Sequence, residues 1–397
     1  MHLVLTTYRN MFLAAGPYFH SRFESNETIL KYFQSSELFI ANLTNLTTTI
    51  VLTKMQAKAR YSRRIIVALL ITCVAFTLLA VSTRVKDVSA GAYFGFLLVI
   101  VLFASLAGST CQNGTFALVA GYGQPEYTQG IMTGQAVAGV LPCIAQIVSV
   151  LSVPPKGVEQ TRPKESSTST FASFLTAVVI AVIALVAVLY LISRHPTLGR
   201  ARVIDSADAT SVADISERKT VRLTTLFSKL YWLCLAVALT FGVTMAFPVF
   251  TQRILSVNPS DNASRILEPA SFIPLAFLVW NTGDLIGRVL TGVPALRLSS
   301  RPKLVFVLAV LRMVFIPMYF LCNIGGKGAK IPSDFFYLFI VQLFFGISNG
   351  YIGSTCMMGA AEWVDEDERE AAGGFMVLCL ITGLTIGSVL SFLIGSS

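Results

Sequence analysis

Charged residues are scarce in this chain of 397 residues, of which Asp, Glu, Lys and Arg together make up only 13%. A soluble globular domain carries about 25%. Instead, 54% of the residues are hydrophobic and the mean hydropathy is +0.70. This composition excludes an ordinary soluble protein and predicts an all-α, multi-pass protein embedded in a lipid bilayer. The 30 Lys and Arg exceed the 21 Asp and Glu, but they lie mostly in loops between apolar segments, so no nucleic-acid partner is expected.

Histidine and cysteine are too few and too scattered to predict a metal site. There are three histidines and seven cysteines, and most of the cysteines lie within apolar segments. That pattern fits neither a disulfide framework nor zinc-ligand spacing. The sequence also lacks a phosphate-binding loop, a dinucleotide fingerprint and a Ser-His-Asp arrangement. We therefore expect no cofactor, no metal and no enzymatic activity.

Apolar runs of membrane-spanning length recur along the whole chain. One span needs about 20 residues, and on that basis about ten complete spans are predicted. Residues 10–19 resemble the end of a further span whose beginning is missing, which reflects either a truncated gene prediction or a shortened protein. The complete spans are predicted near 37–53, 65–83, 91–120, 128–152, 171–193, 226–250, 269–297, 303–324, 333–360 and 371–395.

A long polar segment divides the predicted spans into two groups. Residues 194–224 contain several Arg, Asp, Ser and Thr residues. This segment is either a plain connector or a regulatory, phosphorylated one. We predict an N-terminal bundle over residues 1–193, a cytosolic linker over 194–224 and a C-terminal bundle over 225–397. Two bundles around a site at the membrane midplane are a common transporter architecture.

Positive residues and glycosylation motifs predict the orientation in the membrane. Lys and Arg concentrate in the linker and in the loops at 54–64 and 297–303, which the span count places on one side. The positive-inside rule makes that side cytosolic. Glycosylation sequons at Asn26 and Asn262 fall in loops on the opposite side and are expected to carry the glycans.

The polar residues of one span form a candidate site. At about 100° per residue, Phe277, Asn281, Asp284 and Arg288 share one helix face. A charged side chain at the centre of a bilayer costs about 2.5–3.5 kcal/mol on insertion scales. The Asp284–Arg288 pair serves either only to ease insertion or to line a solute pathway. An acceptor, a donor, an amide and an aromatic ring together favour a flat, polar, uncharged solute.

Further polar residues lie in other spans. Gly108, Gln112 and Thr115 share a face by their spacing. Gly108 suits helix packing, and Gln112 makes either an interhelical hydrogen bond or a contact with a ligand.

Three candidates lie in the second half of the chain. Phe247 precedes Pro248, which is predicted to kink or end its helix. Arg312 is an intramembrane cation that we expect to pair with an acid among residues 365–370, as a gate or a structural lock. Asn349 lies in a stretch of small residues that favours close helix packing and is assigned a structural or gating role.

Several of these motifs together resemble the equilibrative nucleoside transporter family, with fungal members the most similar. Trp280-Asn-Thr-Gly-Asp-Leu-Ile-Gly-Arg288 resembles the family signature Asn-x-x-Asp-x-x-Gly-Arg. The other resembling segments, in chain order, are Asn10–Leu13, Gly108–Gln112, Arg312–Pro317, Ser348–Tyr351 and Ala371–Gly373. One departure is Arg9, which stands where the family has a tryptophan.

The resemblance implies a major-facilitator-like fold with two helical bundles and a central nucleoside site. It implies that Gln112 contacts the nucleobase and that Asp284 and Arg288 bind the ribose hydroxyls, with Asn281 nearby and Phe247 packing against the ligand. It further implies that Asn10 and Leu13 of the first span contribute to the same site. It also implies facilitated diffusion by alternating access, with proton linkage in some members.

Two other functions remain open at the level of sequence. A sugar or drug facilitator of the major facilitator type would share the architecture, and a truncated membrane protein without transport activity would share the motifs. The expected location is the plasma membrane or a vacuolar or lysosomal membrane.

Overall fold

The structure is a computed structural model that describes residues 15–55, 59–85, 88–152, 167–194, 221–258 and 265–395. Within these ranges the chain is helical, and its β-structure is a single bridge between Ile254 and Ile324. The α-helices are α1 Gly16–Phe23, α2 Glu27–Lys54, α3 Tyr61–Ser82, α4 Ala90–Ala120, α5 Pro125–Ser152, α6 Ser167–Arg194, α7 Leu223–Thr244, α8 Ala246–Thr251, α9 Pro269–Leu290, α10 Pro302–Leu311, α11 Phe315–Tyr319, α12 Phe344–Gly359 and α13 Arg369–Gly395. A π-helix at Phe336–Leu343 precedes α12, and 3₁₀ turns lie at Arg265–Leu267, Pro294–Leu296, Arg312–Val314, Ala360–Glu362 and Glu366–Glu368.

Nine helical segments in the described residues are long and apolar enough to cross a membrane. The prediction of an all-α, multi-pass membrane protein is therefore confirmed. Helix α2 covers the span predicted near 37–53 and is 28 residues long, although it is not among those nine. Along α3, the exposed large apolar side chains are Val67, Leu70, Val74, Leu78 and Val81. Their spacing of three or four residues forms an apolar stripe of the kind that faces lipid.

Two predicted spans are interrupted rather than continuous. Helix α7 ends at Thr244, and α8 begins after Met245. Pro248 explains this break, because a proline ring clashes with the carbonyl four residues earlier, which here belongs to Thr244. The prediction that Pro248 kinks or ends the helix is confirmed. The span predicted at 303–324 likewise changes at Arg312–Val314 into a 3₁₀ turn, three to five residues before Pro317.

The described helices divide into two compact units. The first contains α1 to α4, α6 and residues Glu366–Val377. Its core includes an aromatic cluster in which Phe23 lies 5.4 Å from Phe33 and 6.0 Å from Tyr93, measured between ring centroids. A second apolar cluster joins α3, α4 and α6 through residues such as Leu69, Cys111 and Ala181.

The second unit contains α5, α7 to α12 and the part of α13 from residue 378 onward. Its core is also rich in aromatic side chains. Phe250 stacks on Tyr319 with ring centroids 4.9 Å apart, and Tyr319 meets Phe345 edge-on. Gln342 is fully buried among them and donates hydrogen bonds to Thr251 Oγ1 and Tyr337 Oη at 2.8 and 2.7 Å. A buried amide in an apolar core is thereby satisfied.

Helices α9 and α12 approach each other so closely that only glycine fits at their contact. A Cβ atom added to Gly283 or Gly287 would overlap the backbone carbonyl of Leu343 or Ile347. A Cβ atom on Gly350 would in turn overlap the carbonyl of Asp284. Small residues allow this approach in membrane helices, and it brings the side chains beside these glycines into direct contact.

All seven cysteines are free thiols, and Cys111, Cys234, Cys322 and Cys356 are buried. Their positions within apolar helices suit small packing residues. The structure places Asn26 in an exposed position as the cap of α2, where its Oδ1 accepts a hydrogen bond from Ile29 N at 3.1 Å. The second predicted glycosylation site, Asn262, lies outside the described residues.

Candidate functional site

The candidate site is a chain of buried polar side chains in the second unit. Asp284 and Arg288 lie on α9 with only 3% and 6% of their surfaces exposed. Arg288 Nε donates to Asp284 Oδ2 at 2.8 Å. Their spacing of one helical turn makes this contact possible. The pair predicted from sequence is therefore formed, deep in an apolar surrounding where a lone charge would be costly.

Helix α5 supplies the second set of contacts to Arg288. Its Nη1 group donates to the backbone oxygen of Met132 at 2.7 Å and to Gln135 Oε1 at 3.3 Å. At the end of α9, Gln129 of the same α5 donates to the carbonyl oxygens of Arg288 and Val289 at 3.3 Å each. Within the described residues the Nη2 group of Arg288 has no hydrogen-bond partner. It keeps two N–H donors for a ligand.

Helix α12 holds the other carboxylate oxygen of Asp284. Asn349 Nδ2 donates to Asp284 Oδ1 at 2.7 Å, and Asn349 Oδ1 accepts from Thr244 Oγ1 at 2.7 Å. Asn349 is 2% exposed, so both ends of its amide are used inside the protein. An ionised carboxylate has about four acceptor positions. Asp284 therefore retains acceptor capacity after these two bonds.

Arg312 is connected to this network through Thr244. Its Nη1 group donates to Thr244 Oγ1 at 3.1 Å and also to the backbone oxygen of Thr240. Its Nε and Nη2 groups donate to Ser348 Oγ at 3.1 Å and to the Phe345 carbonyl at 3.4 Å. The guanidinium carbon also lies 4.4 Å from the centroid of the Phe345 ring.

The expected pairing of Arg312 with an acid among residues 365–370 is wrong. Arg312 is 2% exposed and obtains its hydrogen bonds from neutral oxygens of α7 and α12. Asp365 pairs instead with Lys229, with its Oδ2 2.8 Å from the ammonium group. The physical reason is that Asp365 is exposed, whereas the guanidinium of Arg312 is buried among carbonyl and hydroxyl oxygens that satisfy its donors.

Aromatic side chains of α8 and α9 pack against one another, and Phe277 of the predicted face is among them. Phe247 stacks on Trp280 with centroids 4.3 Å apart and meets Phe277 edge-on at 5.0 Å. Phe247 is 5% exposed. The break between α7 and α8 directs the short helix that carries Phe247 against α9. Trp280 Nε1 is buried and has no hydrogen-bond partner in the described residues.

Asn281 is less involved in this network than its position on the helix implied. Its Nδ2 donates to the Phe277 carbonyl of its own helix at 2.8 Å and contacts Cys143 Sγ at 3.7 Å. Its Oδ1 lies against Gly139 of α5. Asn281 is half-buried and makes no hydrogen bond to Asp284 or Arg288.

Gln112 belongs to the first unit. It lies on α4 and is half-buried, while Gly108 one turn earlier is buried. The side-chain amide of Gln112 has no hydrogen-bond partner in the described part of the chain, so its donors and acceptor remain available. The other two predicted site residues, Asn10 and Leu13, lie outside the described residues.

Met132, Gln135 and Thr244 were not identified from the sequence. Gln135 could have been found, because an amide inside the span predicted at 128–152 is a signal of its own. Thr244 gave no such signal, since a threonine in a membrane helix commonly bonds its own backbone, and Thr244 Oγ1 also lies 2.8 Å from Thr240 O. Met132 contributes only a backbone oxygen to Arg288.

The fold defines a class of protein, which is that of multi-pass helical membrane proteins with a major-facilitator-like fold. Solved structures support the fold. A bacterial homologue of the iron transporter ferroportin, in an outward-facing state, aligns with a TM-score of 0.65 at 13% identity and covers 100% of this chain and 90% of that chain. The proton:xylose symporter XylE aligns with a TM-score of 0.61 at 10% identity, covering 100% and 86%.

Sequence comparison then identifies the family. The nucleoside transporter family profile matches residues 97–396, and the chain belongs to that family of transporters. The nucleoside transporter FUN26 of Saccharomyces cerevisiae is 30% identical, with 96% of this chain and 80% of that protein covered. Human equilibrative nucleoside transporter 2 is 25% identical, with coverage of 97% and 92%. The predicted family resemblance is confirmed, and membership identifies a transporter rather than an enzyme, as predicted.

Proposed function

We propose that this protein transports nucleosides across a membrane by facilitated diffusion and alternating access. The observation that carries the proposal is the buried Asp284–Arg288 pair, which keeps an acceptor on the carboxylate and an unpartnered Nη2 donor group. Membership of the nucleoside transporter family supports the same substrate class.

The chemistry of a ribose matches this pair of groups. The 2′ and 3′ hydroxyls of ribose are neighbours, and each can donate one hydrogen bond and accept others. In the proposed complex one hydroxyl donates to Asp284 and the other accepts from Arg288 Nη2. Gln112, Asn281 and Phe247 are proposed to contact the nucleobase or pack against the ligand, and Asn10 and Leu13 of the first span are proposed to complete the site.

The test is uptake of radiolabelled adenosine into proteoliposomes that contain the full chain or its Asp284→Ala form. We expect saturable uptake by the full chain and loss of uptake in the variant, because the carboxylate that receives the ribose is removed. The matched competitor is 2′,3′-dideoxyadenosine, which lacks the 2′ and 3′ hydroxyls of the ribose. It should compete poorly with adenosine for the unmodified protein.

Three results would contradict the proposal. If the dideoxy compound competes as well as adenosine, the ribose hydroxyls are not recognised. If a hexose competes better than adenosine, the protein is a sugar facilitator instead. Absence of uptake from correctly folded protein would favour the alternative of a membrane protein without transport activity.

Proton linkage and the membrane of residence are further parts of this proposal. We propose passive transport, in which uptake follows the nucleoside gradient at equal pH on both sides. Stimulation by an imposed proton gradient would instead identify a proton-linked cycle. For location we propose the plasma membrane or a vacuolar or lysosomal membrane, which fluorescence microscopy of the tagged protein distinguishes.

A further inference from the structure

The second unit contains a cavity that is separate from the polar network around Asp284. It has a volume of about 570 Å³ and is lined by residues 229–233 of α7, residues 300–304 at the start of α10, and Trp363. None of these residues takes part in the network of Asp284. Its volume lies within the range of about 300–1,000 Å³ that is usual for small-molecule sites.

Positive charge dominates one side of this cavity. Lys229, Arg301 and Lys303 all contribute to its lining, and no acid does. Asp365 nearby pairs with Lys229 at 2.8 Å, so it offsets only one of the three cations. Arg301 and Lys303 are exposed and form no ion pair with any residue that the structure describes. The local field therefore favours an anion.

A helix end adds to this preference. Helix α10 begins at Pro302 and is 10 residues long, so the positive end of its dipole lies among the lining residues. Pro302 has no N–H, and the N–H groups of Leu304 and Val305 both donate to the Arg301 carbonyl, at 3.0 and 3.2 Å. The preference for a phosphate group at this end of the cavity therefore rests on the helix dipole and the two basic side chains.

The remaining lining of the cavity is apolar and aromatic. Trp232 packs on Phe306 with ring centroids 5.3 Å apart. Trp363 is 42% exposed, and its Nε1 donates to the Ser299 carbonyl at 2.9 Å. Leu304 is 39% exposed. Tryptophan side chains with one polar and one apolar side are typical of the boundary between a bilayer and water.

The position of the cavity matches this chemistry. The lining residues come from the first part of α7, from the start of α10 and from Trp363, which directly follows the 3₁₀ turn Ala360–Glu362. The sequence predicts that all three helix ends are cytosolic. The cytosolic leaflet carries anionic lipids, and each nearby Lys or Arg strengthens binding to them by about fivefold. A free solute anion would not need the exposed aromatic and aliphatic surface.

We propose that this cavity binds the headgroup of an anionic phospholipid. The phosphate lies beside Arg301 and Lys303 at the start of α10, and the glycerol and first acyl carbons lie against Trp232 and Trp363. Lys229 borders the same phosphate and exchanges its contact with Asp365 for the lipid.

Native mass spectrometry of the purified full chain, titrated with phosphatidylglycerol and with phosphatidylcholine, tests the proposal. We expect tighter binding of phosphatidylglycerol. The Arg301→Gln/Lys303→Gln variant should bind it about 30-fold more weakly, which is the effect of two charges at about fivefold each. The matched control is Lys327→Gln/Lys330→Gln, which removes two equally exposed charges from another loop and should bind like the unmodified protein.

Two further variants keep the test decisive. Arg301→Lys/Lys303→Arg preserves both charges and should still bind phosphatidylglycerol. Trp363→Leu should weaken the binding of phosphatidylglycerol without changing the charge of the cavity. Equal binding of the two lipids, or equal weakening by both glutamine variants, would overturn the proposal. Binding of soluble glycerol phosphate as tight as that of the lipid would overturn the assignment to a lipid and indicate a site for a free phosphate.

Discussion

At the scale of single residues, Asp284 owes its position to side chains from other helices. Arg288 holds one carboxylate oxygen and Asn349 holds the other. Asn349 is in turn fixed by Thr244, which accepts a hydrogen bond from Arg312. The network therefore contains two guanidinium groups and one carboxylate. Arg312 uses four of its N–H donors inside the protein, so we assign it to positioning rather than to ligand binding.

Replacing Asn349 tests whether the network positions Asp284. We expect Asn349→Ala to raise the KM for adenosine by about 3- to 20-fold, because an interhelical hydrogen bond in a membrane protein contributes about 0.6–1.7 kcal/mol. Uptake measured in proteoliposomes gives the KM. The control is Thr355→Ala on the same helix, since among the described residues Thr355 Oγ1 bonds only the Tyr351 carbonyl of its own helix. Equal KM values for the two variants would contradict the positioning role of Asn349.

Replacing Arg312 tests how much its buried hydrogen bonds contribute to the stability of the protein. Arg312→Lys keeps the charge but cannot reach Ser348, Thr244 and the Phe345 carbonyl together. We expect a loss of about 1–3 kcal/mol of stability, seen as a lower melting midpoint by tryptophan fluorescence in detergent.

Arg297→Lys is the comparison for that experiment. Arg297 forms a partly exposed pair with Glu126, and such a pair contributes about 0–1 kcal/mol. If the Arg312→Lys variant has a melting midpoint no lower than that of the Arg297→Lys variant, the buried hydrogen bonds of Arg312 add little stability.

At the scale of helices, the glycine contact between α9 and α12 places Asn349 against Asp284. Gly350 follows Asn349 directly, and its missing Cβ leaves room for the Asp284 carbonyl. The same contact repeats at Gly283 and Gly287 on the facing helix. The close approach therefore shapes the site, although no glycine is itself part of the polar network.

We expect Gly350→Ala to destabilise the protein by about 1–3 kcal/mol, the usual cost of overpacking, and to reduce adenosine uptake because α12 must move away from Asp284. Thermal melting and uptake assays measure the two effects. Gly134→Ala on α5 is the control, since a Cβ atom at Gly134 would meet nothing within 4 Å. If both alanine variants melt and transport alike, close packing of α9 on α12 is not needed.

At the scale of the whole molecule, the orientation in the membrane remains a prediction from charge. The exposed Asn26 offers a direct test because its Oδ1 caps α2, which leaves the Nδ2 atom available for a glycan. We expect endoglycosidase treatment of the protein from eukaryotic cells to shift its electrophoretic mobility. Asn26→Gln and Asn262→Gln should each remove part of that shift. A protein that carries no glycan at either position would contradict the predicted orientation.

Much of this protein could be derived from local patterns in the sequence. Low charge and long apolar runs predict membrane helices, because the cost of burying charge in lipid depends on each segment alone. The spacing of Asp284 and Arg288 predicts their pairing, since residues four apart meet on a helix whatever surrounds it. Pro248 predicts the helix break for the same local reason.

Contacts between distant segments were decided only by the tertiary structure. Met132 lies 156 residues from Arg288 and Asn349 lies 65 residues from Asp284, and no local pattern reports which helices meet. Arg312 shows the difference, because its charge predicted an acidic partner whereas the packed helices satisfy it with neutral oxygens. The sequence alone determined that the charges of Asp284, Arg288 and Arg312 had to be accommodated within apolar spans. The packing of α5, α7, α9 and α12 determined which partners satisfy them, because hydrogen bonding depends on three-dimensional proximity.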